Sequence, residues 1–520
     1  MIWVDRVANE IINRNKKLEW VDDMKTPSGR VHIGSLRGVV VHDLVYKVLK
    51  ENNKNTKFTY VFDDHDPMDA IPAYLEYKKW EKYAGIQLYK IPSPVKGYKS
   101  FAQYFADEYI KVFNSINCHP HLIWGSELYN SGKMNAVIKI ILDKSNKVRS
   151  IYNKAFDKKK PKDWHPFNVV CEKCQKIGTT YVYKWDGKKV HYRCEPKAVA
   201  WAVGCGYKGS VSPYNGNGKL PWRVDWPSKW MVIGVTIEGA GKDHMSAGGS
   251  YEIAEIICKK ILKYPAPYPI AYEFFNLKGK KMSSSKGLGI SAKEISELVP
   301  PNILRFIIVR VPIKKAIDFD TDEDTISKVF DDYDTCLNAY FDKLENKIPE
   351  GKQGEVLLDF ARIAKLSEVK PLPKKRVLLP RFRTLVNLLK NDENPLVFFE
   401  KQKKSNLTLE EKEILKERVR YARPYTLNQD KKSNTNLSLS PSQLKFLKLL
   451  GGKLKNLKTK DSESIQNAIF TTLKENDFKP KEAFQGFYKL LTGKEYGPKA
   501  GDLIKSIGLS KVIQTFERLK

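Results

Sequence analysis

The sequence predicts a multi-domain α/β protein: a parallel sheet of βαβ units, an inserted hairpin carrying cysteines, and an all-helical C-terminal region. Three observations carry this. Short apolar runs ending in turn residues alternate with helical periodicity over residues 1–90 and again over about 215–270. Four of the seven cysteines fall between Cys171 and Cys205. All ten tryptophans lie between Trp3 and Trp230, and the chain beyond is rich in Leu, Lys and helix signals. The expected division is 1–90 with 215–270 as the sheet domain, 91–214 as an insertion with its hairpin at 165–210, 271–324 as a lysine-rich loop and helical connector, and 325–520 as the helical domain.

Taken in order, Met1 to Lys16 reads as a short amphipathic helix through Val4, Val7, Ala8, Ile11 and Ile12. Leu18 to Val21 reads as a strand, Pro27-Ser28-Gly29 as a turn, and Ser35 to Leu49 as a helix. His32 and Ser35 then sit at a helix N-terminus, where backbone N–H groups and the dipole favour an anion. Gly34 leaves room for a nucleotide to approach the backbone. Read alone, this is an ordinary βα turn with an incidental His. The strand Phe58 to Phe62 ends in Asp63-Asp64-His65-Asp66, which suits a cationic substrate or Mg²⁺, or an exposed turn. Trp230 to Val235 reads as a buried strand followed by Gly241-Lys242-Asp243-His244. There Asp243 can accept hydrogen bonds from a ribose, with His244 in the same pocket, or cap a helix starting near Gly249.

Cys171-x2-Cys174, Cys194 and Cys205 flank a hairpin turned at Asp186-Gly187. Two thiolate pairs brought together by a hairpin follow the logic of a zinc ribbon, with four soft ligands and no open catalytic position. His191 is an alternative ligand, and buried free thiols are the competing reading. The odd cysteine count argues for a reducing compartment.

From Asn276 to Gly289 the chain reads as a glycine-flanked loop bearing Lys281, Ser283, Ser284, Ser285 and Lys286. Lysines on such a loop can neutralise charge that develops only in a transition state. Ser440-Pro441-Ser442-Gln443 has the form of a capping box, Glu482 to Leu491 is helical up to Gly493, and Asn428 to Ser438 reads as a solvated loop. The net charge of +31 attracts polyanions, nucleic acid among them, although Lys-rich drift gives the same composition. Neither an apolar leader nor a run long enough to span a bilayer is visible, so a cytoplasmic protein is expected.

Pro27-Ser28-Gly29-Arg30-Val31-His32-Ile33-Gly34-Ser35 and Lys281-Met282-Ser283-Ser284-Ser285-Lys286, in this order about 250 residues apart, resemble the paired motifs of class I aminoacyl-tRNA synthetases. Asp63 to Pro67, Glu127 to Lys133, Trp222 to Pro227, Gly241 to Tyr251 and Gly493 to Gly501 narrow the resemblance to the class I lysyl-tRNA synthetases of archaea and some bacteria. It covers nearly the whole chain, least surely from Tyr340 to Lys460.

The resemblance implies a Rossmann-like catalytic domain and an anticodon-binding helical domain. It also implies ATP-dependent attachment of lysine to tRNA(Lys) through a lysyl-adenylate. His32 and Ser35 would orient the phosphates, with Gly34, Asp243, Ser283, Ser284 and Ser285 also on ATP. Lys281, with Lys286, would stabilise the departing pyrophosphate, and Mg²⁺ would bridge its oxygens. The general pattern has a second lysine where Ser284 stands, and Lys286 follows two residues later. Gly29, Trp222 and His244 match the lysine pocket, and Asp63, Asp64 and Glu127 are candidates to pair with its ammonium. Many members carry a further metal site in the segment matching Pro92 to Phe105. Ser93, Gly97, Tyr98 and Tyr104 stand there, so one zinc is expected, on Cys171, Cys174, Cys194 and Cys205. A monomer is the working expectation. The competing readings are a glutamyl-type class I synthetase and a non-catalytic tRNA-binding paralogue.

Overall fold

The computed structural model describes residues 1–157, 159–277, 290–426, 439–457, 459, 461–492 and 500–519. They fall into two units, Met1–Arg423 and Pro424–Lys520. The first is built on a five-stranded parallel sheet: β1 (Glu19–Lys25), β2 (Thr56–Phe62), β3 (His121–Trp124), β4 (Ile237–Gly241) and β5 (Tyr268–Tyr272), in the order β5-β4-β1-β2-β3. This is the expected parallel sheet, with one difference. β3 comes from the segment expected to be a pure insertion, and it pairs Thr59 to Phe62 with His121 to Trp124 as an edge strand.

Helices cover the sheet: α1 (Trp3–Ile12), α2 (Gly34–Glu51), α3 (Phe101–Ser115), α4 (Trp222–Ile233) and α5 (Pro301–Val309). α2 is buried on all sides, its Leu36, Val39, Val40, Leu44, Val45 and Val48 sharing the interior with Arg37, His42 and Asp43. α4 corrects an expectation. Trp230 to Ile233 is the last turn of a helix, not a strand, because Trp222, Trp226 and Trp230 recur every four residues and Gly234 ends the helix at φ 94°. The strand begins three residues later.

The insertion carries a three-stranded antiparallel sheet, Thr180–Trp185, Val190–Cys194 and Lys208–Val211. Its first two strands form the expected hairpin, and Asp186 Oδ1 accepts from the amides of Lys188 and Lys189 at 2.9 and 2.7 Å.

The single helical domain expected over 325–520 is divided. The helices Glu323–Leu344, Lys352–Leu366, Phe382–Lys390, Pro395–Lys403 and Leu409–Ala422 belong to the first unit. Asp331, Asp334 and Asp342 of the first pair with Arg381, Arg418 and Arg376 from later in that run. The second unit packs Pro441–Lys455, Ser462–Glu475, Pro480–Thr492, Ala500–Ile507 and Leu509–Glu517 around Phe446, Leu450, Ile469, Phe487 and Phe516. Ser440 opens it with the expected capping box to Gln443. The loop expected at Asn428 to Ser438 lies outside the described residues, as does Gly493. Among the described residues no helix is long and apolar enough to cross a membrane.

One buried cation ties three helices together. Arg305 of α5 donates to Asp43 of α2 at 2.6 Å, to the Leu366 carbonyl at 2.7 Å, and to the carbonyl of Ile116 and the sulfur of Cys118, just after α3, at 3.1 and 3.2 Å. Replacing it by methionine leaves the Asp43 carboxylate with only Lys47, at 3.0 Å, and strands three acceptors in the interior. Arg305→Met is expected to destabilise the first unit by about 3–5 kcal/mol. A denaturant titration followed by tryptophan fluorescence checks this, since all ten indoles lie in that unit.

Candidate active site

The sheet has one topological switch point. From β1 the chain proceeds outward to β2 and β3, and from β4 it proceeds the other way to β5. β1 and β4 pair only at Val21↔Ile237 and Asp22↔Glu238 before they diverge. Ligands of open α/β sheets bind in the crevice beyond such carboxyl ends. Here it is a cavity of about 280 Å³. Its walls come from Asp23 and Lys25 at the carboxyl end of β1, the His32 turn, α4, the carboxyl end of β4 with Asp243 and His244 beyond it, and Tyr272 to Phe275 from the end of β5 onward.

One end of the crevice is the helix mouth. His32, Gly34 and Ser35 line it together with Asp243. A Cβ on Gly34 would stand 2.8 Å from His32 Nδ1 and 3.4 Å from the Phe275 carbonyl, so only glycine lets the imidazole fold back over the helix start. Residues 278–289, with Lys281, Ser283, Ser284, Ser285 and Lys286, lie outside the described residues. Their described neighbours on both sides abut this turn. Phe275–Leu277 pairs with Ile317–Phe319. Ile33 N donates to the Ile290 carbonyl at 3.2 Å, Ala292 N donates to the Val31 carbonyl at 2.8 Å, and His32 bridges Ser291. Arg37 of α2 donates to the carbonyls of Phe274 and Lys315 at 3.0 and 2.7 Å, fixing the same strand pair to the helix.

The other end is aromatic and acidic. Trp222 stacks on Trp226 at 5.1 Å and 16°, and His244 lies 6.1 Å from each indole. Asp243 is exposed at the rim and is not the cap of the helix at Ser250, whose N-cap is Gly249. On the floor sit Asp23, Glu238, Tyr60 and Tyr272, all buried or part-buried. Burial pushes the Asp23 carboxyl up, and burial with Asp22 and Asp23 alongside pushes Glu238 far up. Burial draws Lys25 down. None of these floor residues was singled out from the sequence. The available signal was an acid placed inside a strand otherwise apolar on both faces, Glu238 within Val235 to Ala240 above all.

The expected ammonium partners lie elsewhere, which corrects that reading. Asp63 is bonded to Lys229 of α4, which also holds Asp225 at 2.7 Å, and Lys219 reaches Asp66, Asp225 and Asp63. Burial works to raise Asp63, but Lys219 and Lys229 hold it below the usual carboxylate range. Asp64 accepts from the amide and hydroxyl of Ser126 at 2.7 and 2.6 Å, and burial raises it to about 6. Glu127 is exposed, and Gly29 is buried but not in the wall of the crevice. Of the acids after β2, Asp63 and Asp66 thus pair with internal lysines and Asp64 with Ser126. Thr26 donates to Asp66 at 2.6 Å, tying this ion cluster to the chain just before the His32 turn.

The hairpin brings Cys171, Cys174, Cys194 and Cys205 together, their sulfurs within 4.8 Å of one another. The pairs Cys171–Cys205 and Cys174–Cys194 stand 3.6 and 3.7 Å apart. Tetrahedral thiolates at a metal–sulfur distance of about 2.3 Å lie about 3.8 Å apart, so the set fits a closed four-sulfur metal site. His191 is not a member and bonds Asp186 at 2.8 Å. A second trio, Asp23, His42 and Glu238, is equally close, but backbone groups hold both ring nitrogens of His42 at 2.7 Å and a metal has no lone pair to use there. Around Pro92 to Phe105, Ser93 turns on Val95 and Tyr98 packs edge-on against Tyr104 at 5.0 Å.

The family profile described as tRNA synthetases class I (K) matches residues 1–357, and that of an anticodon binding domain matches 408–519. The chain is 33% identical to the lysine–tRNA ligase of Methanocaldococcus jannaschii and 32% identical to that of Methanococcus maripaludis, each over 99% of both chains. It is 30% identical to that of Picrophilus torridus over 95% of both.

Purified protein is expected to carry about one tightly held metal ion per chain by elemental analysis. Cys194→Ser should release it and expose the 165–210 hairpin to limited proteolysis.

Proposed function

The chain belongs to the class I tRNA synthetases of the lysine type, and on that footing we propose that it attaches L-lysine to tRNA(Lys), using ATP, through a lysyl-adenylate. The observation that carries this reading is the switch-point crevice, with an anion-favouring helix mouth at one end and an aromatic, acidic floor at the other. A floor bearing carboxylates repels a glutamate side chain and suits a cation, which separates this reading from the glutamyl-type alternative.

The lysine carboxylate oxygen attacks the α-phosphorus of ATP in line. The bond from that phosphorus to the oxygen bridging to the β-phosphorus breaks, and pyrophosphate leaves. The attacking group is already ionised, so no general base is needed. His32 and Ser35 orient the phosphates at the helix mouth, where Gly34 gives them access, and Asp243 holds the ribose. Lys281, with Lys286, is proposed to neutralise the leaving pyrophosphate, beside Ser283, Ser284 and Ser285. Mg²⁺ arrives with ATP as part of the substrate. The lysine side chain lies along Trp222, with His244 opposite, its ammonium over an indole face. A terminal hydroxyl of the tRNA then attacks the lysyl carbonyl and AMP departs. Cys171, Cys174, Cys194 and Cys205 would hold one Zn²⁺, which cross-links the hairpin and takes no part in the chemistry. The helical C-terminal unit is proposed to bind the anticodon, aided by the net charge of +31. The site of action is the cytoplasm.

Pyrophosphate exchange should depend on lysine and not on glutamate. Dependence on any other amino acid overturns the assignment. Trp222→Ala is expected to raise the KM for lysine about tenfold with the KM for ATP unchanged. Gly34→Ala, which forces the His32 ring aside, should instead lower kcat by about 10²-fold with lysine affinity kept. Lys281→Ala should nearly abolish exchange while tRNA binding persists.

A further inference from the structure

Resting on the reading of the crevice as the lysine site, we propose that Asp23 and Glu238 jointly receive the substrate's ε-ammonium and release a proton to solvent as it arrives. Lysine uptake is then an exchange of one cation for another.

The geometry carries this. One carboxylate oxygen from each acid and a ring nitrogen of His42 lie within 4.8 Å of one another, and both acids line the crevice. Asp23 is 7% and Glu238 1% exposed, too little for water to screen two charges. The neighbour best placed to offset them is His42, and it does not. Its Nδ1 donates to the Gly38 carbonyl and its Nε2 accepts from the Gly239 amide, both at 2.7 Å. An imidazole that accepts at one nitrogen and donates at the other is neutral.

On the remaining faces no cation is ion-paired with either acid among the described residues, although Lys25, which also lines the crevice, attracts Asp23 through space. From α4, Trp230 Nε1 donates to Glu238 at 2.6 Å, and Lys229 is committed to Asp63 and Asp225. From β1, Asp22 is a third buried acid, its Oδ2 without a hydrogen bond among the described residues, and Lys25 makes no ion pair with either acid among them. β2, α3 and β5 present the phenols of Tyr60, Tyr109 and Tyr272, whose ionisation burial suppresses. At the rim stand Asp243 and His244.

Two buried carboxyls this close, hydrogen-bonded only to neutral groups, do not both ionise. An empty crevice therefore holds a proton between them, in line with the direction in which burial moves both groups. An ammonium entering along the tryptophans takes the proton's place. Asp23 is pressed against α2 where Gly38 leaves room: a Cβ there would stand 3.0 Å from Asp23 Oδ2 and 2.8 Å from the Tyr272 hydroxyl. The sign follows. Lysine affinity rises with pH while the pair still carries its proton and levels off once the pair is ionised. An uncharged analogue such as norleucine, which ends where the ammonium would begin, cannot displace the proton shared by the two acids and gains nothing from them.

The test is calorimetric titration of lysine into the full chain at one pH in two buffers of very different ionisation heat. The expected result is a buffer-dependent heat equivalent to release of about one proton per lysine. Asp23→Asn and Glu238→Gln should each remove most of that dependence and weaken lysine about tenfold or more. Gly38→Ala, which keeps every charge but displaces Asp23, should weaken lysine as well. Identical heats in the two buffers overturn the proposal, and that comparison needs no variant to fold. Buffer dependence undiminished in both carboxamide variants overturns the assignment to this pair. Absence of both a lysine heat and lysine-dependent exchange removes the functional reading itself.

Discussion

The parting of β1 from β4 after Asp22 and Glu238 is the constraint on which the rest depends. Backbone pairing up to that point makes the sheet continuous. Its loss beyond opens a crevice whose walls are the next residues of each strand. Because successive residues of β1 point to opposite faces, Asp22 is turned toward α4 while Asp23 is turned toward α2 and His42. The same divergence places the glycine-rich end of β4 opposite the His32 turn, so one break in the ladder sets both ends of the site.

The surroundings are rigid where the chemistry needs them to be. Arg37 grips carbonyls just before each strand of the small pair after β5, and Ile33, Val31 and Ser291 knit the following chain to the first turn. At the opposite end the aromatic stack from Trp222 through Trp226 to Trp230 is one face of one helix, so its position is that of α4 as a body. The family's chemistry is positioning plus electrostatics, and such a scaffold supplies the first of these.

Much of this was legible in the sequence, and for local reasons. The first turn of α2, the hairpin turn at Asp186-Gly187 and the box at Ser440 are each signalled by residues a few positions apart, and each is where its pattern placed it. α4 was misjudged because the four apolar residues Trp230 to Ile233 fit a strand and a buried helix end equally well, and the deciding signal was the four-residue recurrence of tryptophan upstream. β3 has only His121 to Trp124 and a part-exposed pattern, too little to register as a strand. Asp63 and Asp64 were read as ligand-facing because their partners, Lys219, Lys229 and Ser126, are 62 or more residues away in the chain. The helical region looked uniform because its Leu- and Lys-rich composition does not change at Arg423, where the packing does.

The five charges of Asp63, Asp66, Asp225, Lys219 and Lys229 interlock beneath α4. None can be neutralised alone without orphaning another in a medium that cannot solvate it. Descent with modification therefore has only joint routes through these positions: an ammonium departs with a carboxylate, or neither departs. Distant cousins are therefore expected to exchange these positions as a block, although none of the five lines the crevice.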